Sequence, residues 1–144
     1  MQYTRQQMIY KIYEYFILNK GLPGENKYQG GCNYRINVYD NDQRLIGVGK
    51  CAVGCLIPDE IYHPTMEGSI CNQGFFREFV EIQTLFKSKD IPFLRSIQII
   101  HDNYFSEIKS IKSNPNIDFY TYFENELKKY CLENSLDYPG EVNA

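Results

Sequence analysis

Phe93, Leu94, Ile97, Ile100, His101, Tyr104, Phe105 and Ile108 recur without a break at the period of an α-helix, and no other feature of the chain restricts its fold as strongly. A stripe this long spans about four helical turns and must be buried along its length, so the remaining segments have to supply the core that receives it. Asp90 or Ile91 opens this helix, with Pro92 in its first turn where a missing N–H costs nothing. His101 falls inside the stripe and reads either as a satisfied core histidine or as one held over a site.

The side chains available to pack against it are largely rings, since the 144 residues include 13 Tyr and 9 Phe but no Trp. A chain of this length removes about 70% of its unfolded surface from water, enough for one domain over residues 1–144 with no external staple. Five cysteines, an odd number, without a secretory signal point to free thiols in a reducing compartment.

Three further helices are expected. The first runs from about Thr4 to Leu18, where Thr4 and Gln7 match a capping box and Met8, Ile9, Ile12, Tyr13, Phe16 and Ile17 keep helical spacing. A middle helix from about Gly74 to Ser88 directs Phe75, Phe76, Phe79, Val80, Ile82 and Phe86 inward. The last carries Phe119, Tyr122, Phe123, Leu127, Tyr130 and Cys131, with Asn116 as its cap and a frayed tail beyond Leu136.

Between the first two helices the period changes to two. Cys32, Tyr34, Ile36 and Val38 alternate with Asn33, Arg35, Asn37 and Tyr39, then Asp40, Asn41 and Asp42 form a turn. Ile46 and Val48 next alternate with Leu45, Gly47 and Gly49, whose glycines permit close backbone approach. The result is a β-hairpin over about 32–51, and the fold class is α+β, mostly helical, with the hairpin on four or so helices. From Lys50 to Gly68 an irregular run follows, read as a short helix or turn and then an ordered loop.

Several classes of function are disfavoured. Met1 to Lys20 is interrupted by Arg5, Lys11 and Glu14 and is followed by no small-residue cleavage site, so no signal peptide is expected. No run approaches the ~20 apolar residues of a membrane span, and a cytoplasmic location, that of the host cell if the chain is phage-encoded, is expected. The net charge is −3 and the longest basic cluster is Lys128 and Lys129, so no nucleic-acid partner is expected. Nothing requires a cofactor.

Three constellations remain. Cys51, placed at a helix start beside Lys50, would have a lowered thiol pKa, and His101 with Asp102 or Asp59 would complete the arrangement of a cysteine hydrolase or transferase; the plain alternative is a buried thiol and a core imidazole. Cys51 and Cys55, with Cys32, Cys71 or His63, would suit a tetrahedral zinc, although the spacing lacks paired knuckles. Arg35, Lys50, Asp59, Glu60, Glu67, Gln98 and Asp102 would converge if the hairpin packs beside the His101 helix. Roofed by Tyr34 and Tyr62, they would bind a small polar ligand or nucleotide, with Arg35 on a phosphate, or else hold the irregular loop down.

Cys32-x-Tyr34-Arg35, the run Lys50-Cys51-Ala52-Val53-Gly54-x-Leu56-Ile57-Pro58-Asp59-Glu60-x-Tyr62, Met66-Glu67-Gly68 and Leu94-x-x-Ile97-Gln98-x-x-His101-Asp102 together resemble a set of small uncharacterised bacterial and phage proteins. The chain departs from them in a longer hairpin between Arg35 and Lys50 and in His63, where an acidic or small residue is expected. The resemblance implies a fold and a phage or mobile-element setting, and no reaction. The leading expectation is therefore a non-catalytic accessory protein that binds a host or phage protein or a small signalling ligand, with inhibition of host defence as a role it would suit. Tyr39 and Arg44 at the hairpin tip are the expected partner contacts. The cysteine enzyme and the zinc-stabilised module stand as alternatives.

Overall fold

A computed structural model of the chain describes residues 2–26, 33–69, 72–108 and 117–141. Helix α1 (Arg5–Tyr13) begins where Thr4 Oγ1 accepts the Gln7 N–H at 3.1 Å and the Gln7 side chain accepts the Thr4 N–H at 2.9 Å, the expected capping box. A π turn over Glu14–Leu18 carries the helix to its expected end. Met8, Ile9, Ile12 and Phe16 on its inner face are fully buried.

Strands β1 (Ile36–Tyr39) and β2 (Leu45–Gly49) pair antiparallel. Asp40 builds their turn: its Oδ1 accepts the N–H groups of Asp42 and Arg44, its N–H donates to the Arg44 carbonyl, and its carbonyl accepts from the Gln43 N–H. Gln43 takes the left-handed position, φ 64°, at the bulge that closes the turn. The extended segment was expected to start at Cys32; pairing begins at Ile36, and Cys32 lies outside the described residues.

Strand β2 is irregular. Tyr39 pairs with Leu45 but Val38 pairs with Gly47, so Ile46 is an extra, bulged residue. Ile36, Val38, Gly47 and Gly49 share the inner face, while Asn37, Tyr39, Leu45 and Val48 share the outer one. Ile46 and Val48 are 54% and 46% exposed, and the two glycines take the inner positions. The cause is backbone packing. Leu22–Gly24 lies against β2, the Lys50 N–H donates to the Leu22 carbonyl, and a Cβ on Gly49 would strike the Pro23 carbonyl oxygen, so glycine must occupy the inner position.

Beyond β2, 3-10 turns at Gly54–Leu56 and Pro64–Met66 lie in the irregular run, which buries Ala52, Val53, Leu56, Ile57 and Met66. Gly54 is a second close approach, since a Cβ there would strike the Tyr34 carbonyl oxygen. Helix α2 (Gln73–Glu78), capped by Asn72, is shorter than the expected Gly74–Ser88 because Phe79 leaves the helical region at φ −106° and ψ 90°. A 3-10 stretch over Val80–Thr84 follows, and its tighter period keeps Ile82 and Leu85 inside while Val80 turns outward to 64% exposure.

Helix α3 (Ile91–Asn103) has Pro92 in its first turn and continues as a π turn over Tyr104–Ile108. It buries Phe93, Leu94, Ile97 and His101, as the stripe requires. Buried Asp90, just ahead of it, pairs with Arg5 of α1 at 2.7 Å. Helix α4 (Phe119–Glu133) is capped by Asp118, whose Oδ1 accepts the Thr121 N–H at 2.7 Å; the expected cap, Asn116, lies outside the described residues.

The tail does not fray at Leu136. Gln6 and Asp137 exchange two hydrogen bonds of 2.8 and 3.0 Å, and buried Tyr138 meets the Tyr13 ring edge-on at 5.3 Å while its hydroxyl donates to Glu124. The described residues thus form an α+β fold, mostly helical, with one two-stranded antiparallel hairpin packed against four α-helices. Its centre is the expected ring core: Phe16 meets Phe123 at 4.8 Å, and Phe119 stacks on Phe105 at 5.4 Å.

Candidate functional site

His101 is fully buried at the meeting point of α3, α1 and α4, with Phe16, Phe105 and Phe119 around its ring. Its Nε2 accepts the buried Gly24 N–H at 3.2 Å, which places the ring proton on Nδ1, and Nδ1 donates to Asp102 Oδ1 at 2.9 Å. Of the two carboxylates offered for orienting the imidazole, Asp102 does so, and Asp59 pairs with Arg35 instead. The nitrogen that would have faced a nucleophile is taken by the backbone of Gly24.

Cys51 stands just ahead of the Gly54–Leu56 turn and its Sγ accepts the Gly54 N–H at 3.3 Å. This one N–H favours the thiolate, but burial outweighs it and pushes the Cys51 thiol well above its ordinary value. Asp102, Cys55 and Glu67 push the same way. The expected help from Lys50 falls instead on Cys55, where burial is still larger and raises the thiol to about 12. Cys55 donates its S–H to the Ala52 carbonyl. The imidazole and the Cys51 sulfur share no hydrogen bond, and burial disfavours the thiolate form of both cysteines.

The polar set expected to converge is divided between two groups. In the first, Glu67 Oε1 accepts the Tyr34 N–H at 2.9 Å, and its Oε2 accepts the Arg35 N–H at 2.9 Å and the Tyr62 hydroxyl at 2.6 Å. Arg35 donates to the Ile57 carbonyl at 2.8 Å, pairs with exposed Asp59 at 2.7 Å and lies over the Tyr62 ring at 4.4 Å. Its Nε is buried and has no hydrogen-bond partner among the described residues. Tyr34 is buried, stacks on Phe75 and donates its hydroxyl to the Ser69 carbonyl. In the second group, Gln98 accepts the Val53 N–H at 3.0 Å and donates to Asp102 at 2.8 Å.

These bonds tie the irregular run to the residues just ahead of β1 and to α3, the loop-holding role set beside ligand binding for these residues. Glu60 is exposed and stands outside both groups. Lys50 lies over the Tyr15 ring rather than with them. His63 caps the Pro64–Met66 turn, its Nδ1 accepting the Thr65 N–H. Among the described residues no three His, Cys, Asp or Glu side chains are placed to hold a metal ion, and Cys32 and Cys71 lie outside those residues.

The hairpin presents a different surface. Tyr39, Leu45, Ile46 and Val48 are 43% to 59% exposed and adjoin one another on its outer side, with exposed Arg44 at the tip. A groove of about 210 Å³ borders all of β1 together with Glu25, Asp40, Asn41 and Gln43. A second concavity of about 280 Å³ over Tyr3, Gln6, Gln7, Tyr10 and Lys11 gathers none of the expected site residues. The sequence reading named Tyr39 and Arg44 on this surface and did not name Leu45, Ile46 and Val48. The signal was Gly47 and Gly49 at alternate positions, which marks the other face as packed on backbone.

No protein-family model, no curated protein and no solved structure matches the chain. Among the described residues, no helix is long and apolar enough to cross a membrane.

Proposed function

We propose that the chain is a non-catalytic binding protein, an accessory factor of the phage or mobile-element kind acting in the cytoplasm, that engages a partner protein through the outer face of its hairpin. One observation carries this reading. The chemically versatile side chains are committed to internal bonds, while Tyr39, Leu45, Ile46 and Val48 lie together in solvent on a two-stranded element. Scattered exposed apolar residues need no explanation, but a contiguous group of this size is a recurrent mark of an interaction site.

A photo-crosslinking amino acid placed at Leu45, and separately at Leu132 on α4 as a still more exposed control, 84% against 59%, tests the proposal in the native cell. One discrete adduct is expected from position 45 and none from 132, and Tyr39→Ser with Val48→Ser should abolish it. Adducts that are the same from both positions, or indifferent to the double substitution, would refute the reading.

A further inference from the structure

We infer that the partner docks as an extended strand along the outer edge of β1, and that the docking segment carries lysine or arginine. The inference rests on the hairpin being the contact element. The two edges of the sheet are unequal. At its end β2 is followed by the bridge between Pro23 and Lys50, with the Lys50 N–H bonded to Leu22. Strand β1 pairs with β2 alone, and its outward-facing N–H and C=O groups have no hydrogen-bond partner among the described residues. Such an edge is a template for a further strand.

The groove follows that edge. Successive strand residues point to opposite faces, so a groove bordering all of Ile36–Tyr39 must run beside the backbone rather than over either face. Glu25 and Asp40 border it, and among the described residues no Lys or Arg does. The Asp40 carboxylate forms no ion pair among the described residues, because its bonds go to the N–H groups of Asp42 and Arg44. A cationic segment is the complementary occupant.

Area selects a segment over a second folded copy. The exposed parts of Tyr39, Leu45, Ile46 and Val48 amount to roughly 400 Å², against about 800 Å² per partner in a stable interface between folded proteins. A single strand needs less. Its ladder bonds give affinity, and its alternate side chains reach the apolar outer face beside Tyr39.

The test uses the full chain and a synthetic peptide of about eight residues, alternating valine and threonine with lysine at each end. A glutamate-ended twin and two N-methylated versions, one for each alternate set of residues, accompany it. The lysine peptide should shift the amide resonances of residues 36–39 and slow their exchange, and the glutamate twin should bind at least about tenfold more weakly. Methylating one alternate set should abolish binding while the other set leaves it intact, since one edge of an added strand bonds to β1. Asp40→Asn, which keeps the acceptor that builds the turn, should weaken the lysine peptide several-fold. Shifts confined to other elements, equal binding of the glutamate twin, or indifference to methylation would overturn the inference. If the adduct from position 45 persists while the peptide fails, strand addition alone is wrong; if the adduct is absent, the reading beneath it falls as well.

Discussion

Replacing His101 with phenylalanine separates packing from hydrogen bonding at the centre of the fold. The new ring occupies the same space among Phe16, Phe105 and Phe119, at 5.9, 5.4 and 5.4 Å from the imidazole, so little cavity is created. Two hydrogen bonds are lost, and they are unequal. Asp102 is 42% exposed and still receives the Gln98 amide, so water compensates it. The Gly24 N–H is buried and loses its acceptor outright. A buried donor left unpaired costs about 1–3 kcal/mol, so His101→Phe should destabilise by about 2 kcal/mol, while His101→Gln, which offers an amide oxygen, should recover part of that. Urea unfolding with an unchanged slope measures the total. Amide exchange locates it: the protons of Gly24, Asn33 and Lys50 should exchange faster, because Asn33 bonds to Gly24 and Lys50 to Leu22, while those of α4 change only as the global stability does. A loss below about 0.5 kcal/mol, or unaltered exchange at Gly24, would refute the anchoring role and return His101 to the list of residues free for chemistry.

The remaining predictions concern the loop clamp, a helix cap and the thiols. Glu67→Gln removes one of two acceptor oxygens that together serve the Tyr34 and Arg35 amides and the Tyr62 hydroxyl, and should cost about 1–3 kcal/mol by urea unfolding, whereas Glu60→Gln should stay within about 0.5 kcal/mol; equal effects would sink the clamp. Asp118 is held below the usual carboxylate range by the Thr121 N–H, so its capping contribution, about 1 kcal/mol, is present above the unfolded pKa and lost as pH falls through the folded one. Asp118→Ala should flatten that part of the acid limb in a stability–pH series, and an unchanged acid limb would count against the cap. At neutral pH Cys51 should react with a thiol probe no faster than Cys131, since burial raises both, the latter to about 11; faster labelling of Cys51 would revive a nucleophilic role.

The long elements were legible because their information is local. The α3 stripe and the Thr4–Gln7 capping box each specify their geometry within a few turns, and the ring core follows from the rings carried by the first, third and fourth helices. The break at Phe79 was not legible, because apolar residues on both sides suit either one helix or two short ones until packing chooses. The tail was misread for the same kind of reason: Tyr138 is ordered by Tyr13 and Glu124, which no local pattern announces.

At the site, residue types were readable and their commitments were not. The sequence alone placed Arg35, Cys51 and Glu67 on the hairpin and the irregular run, and Gln98, His101 and Asp102 on one helix, and left their meeting conditional on the hairpin packing beside that helix. Tertiary structure decided that the Gly24 N–H takes the imidazole nitrogen, that Glu67 spends both oxygens on the residues just ahead of β1 and the Tyr62 hydroxyl, and that β2 turns its apolar residues outward. The physical reason is common to all three. A hydrogen-bond acceptor or an apolar side chain has no preferred partner until the backbone of a distant segment arrives beside it, and the Leu22–Gly24 segment arrives both at His101 and against β2.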